Sequence, residues 1–143
     1  MFEKLLSAFS APPPAAVPGG QVALAALLVR LARADAQYEP REMARIDRIL
    51  AARYRLSPFE AVQLREEAET LEAASPDTVR FTRALKDAVP YEDRLEILEA
   101  LWSVALADDD RSADEDALIR LVANLLGVSD QDSARARQKV QPR

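Results

Sequence analysis

The chain contains neither cysteine nor histidine. Disulfides, thiolate nucleophiles, haem ligation through His or Cys and zinc sites of the usual nitrogen and sulfur type are therefore excluded. The commonest general base is missing as well. Any metal ion would have to be held by oxygen, which leaves Mg²⁺, Ca²⁺ or Mn²⁺. Glycine is scarce, with three in 143 residues, and aromatics make up 6%. Few glycines and long Ala/Leu/Glu/Arg runs favour helix. Leu, Ala, Val and Ile must build the core. No long apolar run occurs: the longest, Val22 to Val29, is broken by Arg30, well short of the roughly 20 residues a membrane span needs. The start, Met1-Phe2-Glu3-Lys4-Leu5-Leu6, lacks a basic n-region and a long h-region, so no signal peptide is read there and the cytoplasm is the expected location. A net charge of −5 argues against non-specific nucleic-acid binding. The basic residues Arg135, Arg137, Lys139 and Arg143 read as a solvated tail.

What is present is patterned for one helical core. The chain is 49% hydrophobic and 30% charged, ordinary for a soluble domain. A chain of this size can bury roughly 68–70% of its unfolded surface. Phe2, Leu5, Leu6 and Phe9 recur at helical spacing, and the Pro/Gly-rich stretch from Ala11 to Gly20 then breaks the helix. Residues 1–20 thus read as a short amphipathic helix on a semi-stiff linker, and residues 21–143 as the domain. The tethered helix could dock on the body, on a protein partner or peripherally on a membrane surface. Gln21 to Ala36 is apolar nearly all round and is expected to be buried, with Arg30 and Arg33 suiting its C-terminal dipole. Pro40 opens the next helix. Ser57-Pro58-Phe59-Glu60 spells another start, with Phe59, Val62 and Leu71 apolar and Glu66, Glu67, Glu69 and Glu72 facing water. A helix from Ser75-Pro76 carries Val79, Phe81, Leu85 and Val89 and stops at Pro90. The central helix from Tyr91 bears Trp102 at core spacing; a helix with Leu118, Leu121, Val122, Leu125 and Leu126 ends at Gly127, and Ser129 can cap a last polar helix. The expectation is an all-α single multihelical domain of about seven helices.

The chain also repeats itself. Ala34 to Glu42 lies over Ala107 to Glu115, 73 positions on, each between an apolar helix and an amphipathic one. Leu56-Ser57 and Val128-Ser129 close the two copies one residue out of register. Two helical units related by a pseudo-twofold, with two apolar helices at the centre, follow from this.

The repeated turns concentrate acid. Asp35, Glu39 and Glu42 in one copy, and Asp108, Asp110 and Glu115 in the other, are the candidate ligands for a divalent cation. Adjacent exposed carboxylates repel by ~0.5–1 kcal/mol per pair in water. The competing reading is helix capping: Ser112-Ala113-Asp114-Glu115 spells a capping box, and Glu39-Pro40-Arg41-Glu42 is a weaker version. Acid in a first turn stabilises the helix dipole by ~0.3–1 kcal/mol without any ligand. Capping accounts for Glu42 and Glu115 but not for Asp35 and Asp108, which precede the helix starts. An EF-hand is excluded: counting from Asp108, Ala113 stands where Gly is required and Ile119 where Glu is required. No basic clamp, Gly-rich phosphate loop or nucleophile–base pair accompanies the acids, so no catalytic residue is assigned. A carboxylate-based hydrolase is the remote alternative.

The sequence Ala34-Asp35…Pro40-Arg41-Glu42, with its second copy Leu101-Trp102-Ser103-Val104-Ala105-Leu106-Ala107-Asp108…Glu115, resembles the TerB-like tellurite-resistance family. Arg80-Phe81-Thr82-Arg83 and Arg94-Leu95-Glu96 resemble a bacterial branch of it. The likeness spans Val22 to Ser129. It implies an all-helical domain of two pseudo-symmetric units, a cation or acidic interaction site at the repeated Asp and Glu, an association with stress-response and membrane-associated proteins, and no established enzymatic activity. Two departures stand out. The glycine usual after each Asp is Ala36 in one copy and Asp109 in the other. The acidic residue before the Pro-like position is Glu39 in one copy and Ser112 in the other. Neither Ala nor Asp adopts positive φ as cheaply as Gly, so the turns are expected to be reshaped. A non-enzymatic module that binds a protein partner is the leading expectation, and a divalent-cation binder the second.

Overall fold

The computed structural model describes residues 19–34, 38–75, 77–107 and 113–141. They form seven helices and no strand: α1 (Gly20–Arg33), α2 (Pro40–Tyr54), α3 (Pro58–Ala74), α4 (Val79–Ala88), α5 (Tyr91–Ala105), α6 (Ala113–Leu125) and α7 (Asp130–Val140). The expected all-α class is what is found. The amphipathic segment from Phe2 to Phe9 and its linker lie outside the described residues.

The core is built on α1. Every side chain from Ala23 to Val29 is buried, as are Leu31 and Ala32. A helix without a polar face needs neighbours on all sides, and α1 packs against α2, α3, α4, α5 and α6. Its start lies close to the end of α4: a Cβ on Gly20 would stand 3.0 Å from that of Ala88. The second central helix, α5, buries Ile97, Leu98, Leu101, Trp102, Val104 and Ala105 against α1, α2, α6 and α7. Each fully buried Leu or Ile contributes about 1.5–3 kcal/mol. Arg94 joins three elements through main-chain carbonyls: it donates to Lys86 O, Val89 O and Leu126 O, each at 3.2 Å. One guanidinium thereby satisfies orphan carbonyls at the ends of α4 and α6.

The packing partners recur between the copies. The α1 helix lies most extensively on α3 and also on α2, and α5 lies on α7 and α6; across the middle, α1 meets α6 and α5 meets α2. The helix ends recur too. Leu56 N–H bonds Ala51 O at 3.0 Å and Val128 N–H bonds Ala123 O at 2.8 Å, each closing a helix through a left-handed residue, Arg55 (φ 54) or Gly127 (φ 72). Ser57 and Ser129 then cap the following helices, accepting from Glu60 N–H and Asp132 N–H, both at 3.1 Å. The out-of-register Leu-Ser and Val-Ser pairs are thus a repeated helix stop followed by a helix start. Helix α4 joins the two copies and has no repeat.

Several local expectations are corrected. The first apolar helix ends at Arg33, with Ala34 as its C-cap. Helix α4 begins at Val79 rather than at Ser75-Pro76; Asp77 reaches forward to accept from Arg80 N–H at 3.3 Å. Phe59 points outward, 70% exposed, and Val79 and Leu121 are also exposed. Phe59 occupies the second position of α3, before that helix has reached the core. Of the four α3 glutamates expected to face water, Glu66 and Glu67 do, while Glu69 and Glu72 turn inward to arginines.

Candidate functional site

Of the six carboxylates assigned to a cation, Asp35, Asp108 and Asp110 lie outside the described residues. The other three stand at the starts of α2 and α6. Glu39 caps α2, and its N–H donates to Glu42 Oε1 at 3.2 Å, one arm of a capping box. Its own carboxylate pairs with Arg41 at 3.2 Å. Glu115 occupies the same third helical position as Glu42 but is buried, at 3% exposure. Both Glu42 and Glu115 are engaged in polar contacts. No group of three such ligands converges among the described residues. A basic surface stands beside Glu42 that sequence reasoning missed. Arg41, Arg45 and Arg48, at helical spacing along α2, edge a recess of about 210 Å³ against Val104 and Ala107 at the end of α5. These arginines offset part of the acidic field next to the turn.

The densest polar cluster lies elsewhere, where α1, α2, α3 and the start of α4 meet. Arg30 and Arg33, at the end of α1, do more than complement its dipole. Arg30 Nε pairs with Glu72 Oε2 at 3.0 Å and Arg33 Nη1 with Glu72 Oε1 at 2.6 Å, so one carboxylate bridges two guanidinia. Arg30 also donates to Thr78 Oγ1 at 3.2 Å, to Glu72 O and to Ser75 O, and lies 5.2 Å above the Phe81 ring. A second chain runs from Tyr38 Oη, which donates to Glu69 Oε2 at 2.6 Å, through Arg65 to Asp47. Arg65 holds Glu69 at 2.9 Å and Asp47 at 2.6 Å. Burial raises the phenol pKa of Tyr38, and the bond to the Glu69 carboxylate raises it further. Burial pulls the Arg65 pKa down, but its bonds to Asp47 and Glu69 outweigh that and raise it. These groups satisfy one another and fix the helices; the Arg65–Glu69 pair was visible in the sequence at i, i+4 spacing.

A groove of about 580 Å³ opens between α6 and α7, with Trp102 of α5 at its floor. Trp102 is a core residue, 9% exposed, as its spacing suggested. Its Nε1–H donates to Ser133 Oγ at 3.3 Å, and the Arg137 guanidinium lies 5.3 Å from its ring centroid. Arg137 Nε is shielded from water without a hydrogen-bond acceptor. Arg120 and Arg137 line the groove with Asp116 and Asp130. The opening follows from the repeat. In the first copy Met43, Leu50 and Val62 stand where the second has Asp116, Ala123 and Ala134, and the Asp47–Arg65 pair stands where the second has Arg120 and Arg137.

A family model described as tellurite resistance protein TerB matches residues 21–138. The chain belongs to the TerB tellurite-resistance family. The match runs from the second residue of α1 to two residues short of the end of α7, so the all-helical architecture described above is that of a TerB domain. The comparisons with curated proteins and with solved structures gave no match. No described helix of this TerB domain is long and apolar enough to cross a membrane.

Proposed function

We propose that this TerB-family chain is a non-enzymatic, cytoplasmic helical module of the tellurite-resistance type that works by binding a protein partner through an acidic surface. One observation carries the reading. The ionisable groups of the densest polar cluster, from Tyr38 and Arg65 to Glu72, pair with one another rather than gather around a reaction centre. Glu60, Glu66 and Glu67 on the exposed side of α3 supply acid that is open to a partner. Survival under tellurite tests the reading. A strain lacking the chain is expected to regain resistance with the wild-type chain and to lose it with Glu66 and Glu67, both exposed and outside the α3 capping box, changed to Gln. Equal rescue by both chains would sink the acidic-surface reading.

A second reading is kept because Glu115, at the edge of the acidic turn, is a buried carboxylate. In it Asp35, Glu39, Glu42, Asp108, Asp110 and Glu115 hold Ca²⁺, Mg²⁺ or Mn²⁺. A ligand selective for the folded state stabilises it by RT ln(1 + [L]/Kd), about 2.7 kcal/mol at a hundredfold excess over Kd. Thermal unfolding of metal-free protein at constant ionic strength decides between the readings. A rise of several degrees with one ion, abolished by Asp108→Asn, establishes the cation site. Identical curves with all three ions return the acids to helix capping.

A further inference from the structure

We propose that the groove between α6 and α7 is a binding site for a small organic monocarboxylate, held by Arg120 and Arg137 with its apolar body along Ile119, Ala123 and Ala134. The inference is separate from the partner reading above and uses none of the acidic-turn residues. Three observations support it. First, the volume of about 580 Å³ is that of a small-molecule site. Second, neither guanidinium is held by a carboxylate: Arg120 and Arg137 form no ion pair among the described residues, and Arg137 stacks on the Trp102 ring. A carboxylate matches the planar fork of a guanidinium with two parallel bonds. Third, the first copy shows the chemistry that fills the same place: there Asp47 supplies the carboxylate to Arg65 at 2.6 Å, and Leu50 and Val62 supply the apolar volume. The second copy has Arg120, Ala123 and Ala134 instead, lacking both the carboxylate and the bulk. The ligand restores both. Asp116 and Asp130 on the groove walls balance the two arginines, which favours a monoanion over a dianion such as phosphate.

Trp102 is the only tryptophan in the chain, so its fluorescence reports on this groove alone. The full chain is titrated with sodium benzoate, sodium acetate or sodium phosphate, with ionic strength held constant by sodium chloride. Thermal unfolding serves as the second readout. The expected result is a saturable fluorescence change and a raised unfolding midpoint with benzoate, a weaker response with acetate, which lacks the apolar body, and no response to phosphate beyond the chloride control. Arg120→Gln, at an exposed position, is expected to weaken benzoate binding about tenfold or more. Ala134→Leu, also exposed, blocks the groove and abolishes binding, while Arg48→Gln on α2 leaves it unchanged. The proposal is overturned if benzoate gives no saturable response in either readout. It is equally overturned by undiminished binding in Arg120→Gln, or by phosphate binding as tightly as benzoate, which marks an inorganic-oxyanion site instead.

Discussion

The seam between α2 and α3 and the seam between α6 and α7 occupy repeated places in the chain and are built differently. In the first, Arg65 reaches from α3 to Asp47 on α2 and to Glu69 on its own helix, and α2 packs closely on α3. In the second, two arginines replace the Arg–Asp pair, smaller side chains replace Leu50 and Val62, and α6 and α7 touch sparsely around a groove. Like charges cannot form the bridge, and alanines cannot fill the space. Both copies keep the central apolar helix, the left-handed helix stop and the serine cap. What the repeat retains is what any copy needs to fold. What it has lost on one side is a closing contact, which frees that side for a ligand.

The two seams should differ most at Arg65. Arg65→Ala strands two part-buried carboxylates, and losing one partner of a buried pair costs about 3–5 kcal/mol; with partial exposure here, about 2–3 kcal/mol is expected by urea unfolding. Arg137→Ala, its counterpart, gives up one cation–π contact and should cost about 1 kcal/mol. Similar losses at the two positions would show that the seams are energetically alike. Arg120 is where the second seam can be given the contact it lacks. Arg120→Asp gives the second seam the first seam's charge pattern, so stability should rise by about 0.5–1 kcal/mol as a part-exposed pair forms. Benzoate binding should disappear in the same variant. A fall in stability would mean that the two seams do not share their register.

The helices and the core were legible in the sequence because apolar spacing and Pro/Ser starts act locally. Pro40, Ser57-Pro58, Tyr91 and Ser129 mark helix starts where expected, and the burial of α1 follows from its composition. The failures have separate physical origins. Glu72 looks like a solvated acid when only α3 is considered, because its partners Arg30 and Arg33 lie 42 and 39 positions away; Glu69 has a local partner in Arg65, but its bond to Tyr38 spans 31 positions. Phe59 looks like core when only its type is considered, but the second position of a helix start lies outside the packed layer. The three-residue error at the start of α4 arose because Ser75-Pro76 spells a cap, whereas Ser75 is itself buried and its carbonyl is taken by Arg30. The groove could have been found by pushing the alignment past the acidic turns, where Asp47 falls on Arg120 and Arg65 on Arg137.

The helix stops allow a cleaner test than the seams do, because the left-handed residue carries the effect in each. A Cβ at Gly127 would meet no atom within 4 Å, so Gly127→Ala isolates the cost of positive φ, about 1–2 kcal/mol. Arg55 holds the same left-handed conformation without glycine's freedom. Arg55→Gly is expected to leave stability unchanged or raise it by up to about 1 kcal/mol, since glycine's greater unfolded-state entropy offsets part of the gain. Opposite signs for the two substitutions in thermal unfolding would confirm that both stops have one geometry. A loss in both would assign Arg55 a side-chain role.

The smallest difference lies in the caps. Ser57 and Glu60 form a full capping box: Glu60 N–H donates to Ser57 Oγ at 3.1 Å, and Ser57 N–H donates to Glu60 Oε1 at 2.9 Å. At Ser129 only the first arm forms among the described residues, and the third helical residue is Asp132, whose shorter carboxylate turns to Arg135. Ser57→Ala and Ser129→Ala should each cost about 1 kcal/mol at neutral pH. Their pH dependence should differ. The backbone N–H of Ser57 holds the Glu60 carboxyl below its ordinary value of 4.5. A carboxylate with a depressed folded-state pKa contributes stability that is present above the unfolded value and is lost as pH falls through the folded one. The gap between wild type and Glu60→Gln should therefore be constant above about pH 5 and close on further acidification, whereas Ser129→Ala should show no such closure tied to Glu60. Unfolding midpoints measured from pH 7 down to pH 3 check this. A gap that stays constant over that range would show that the second arm of the first box contributes nothing in solution, and that the two caps are equivalent.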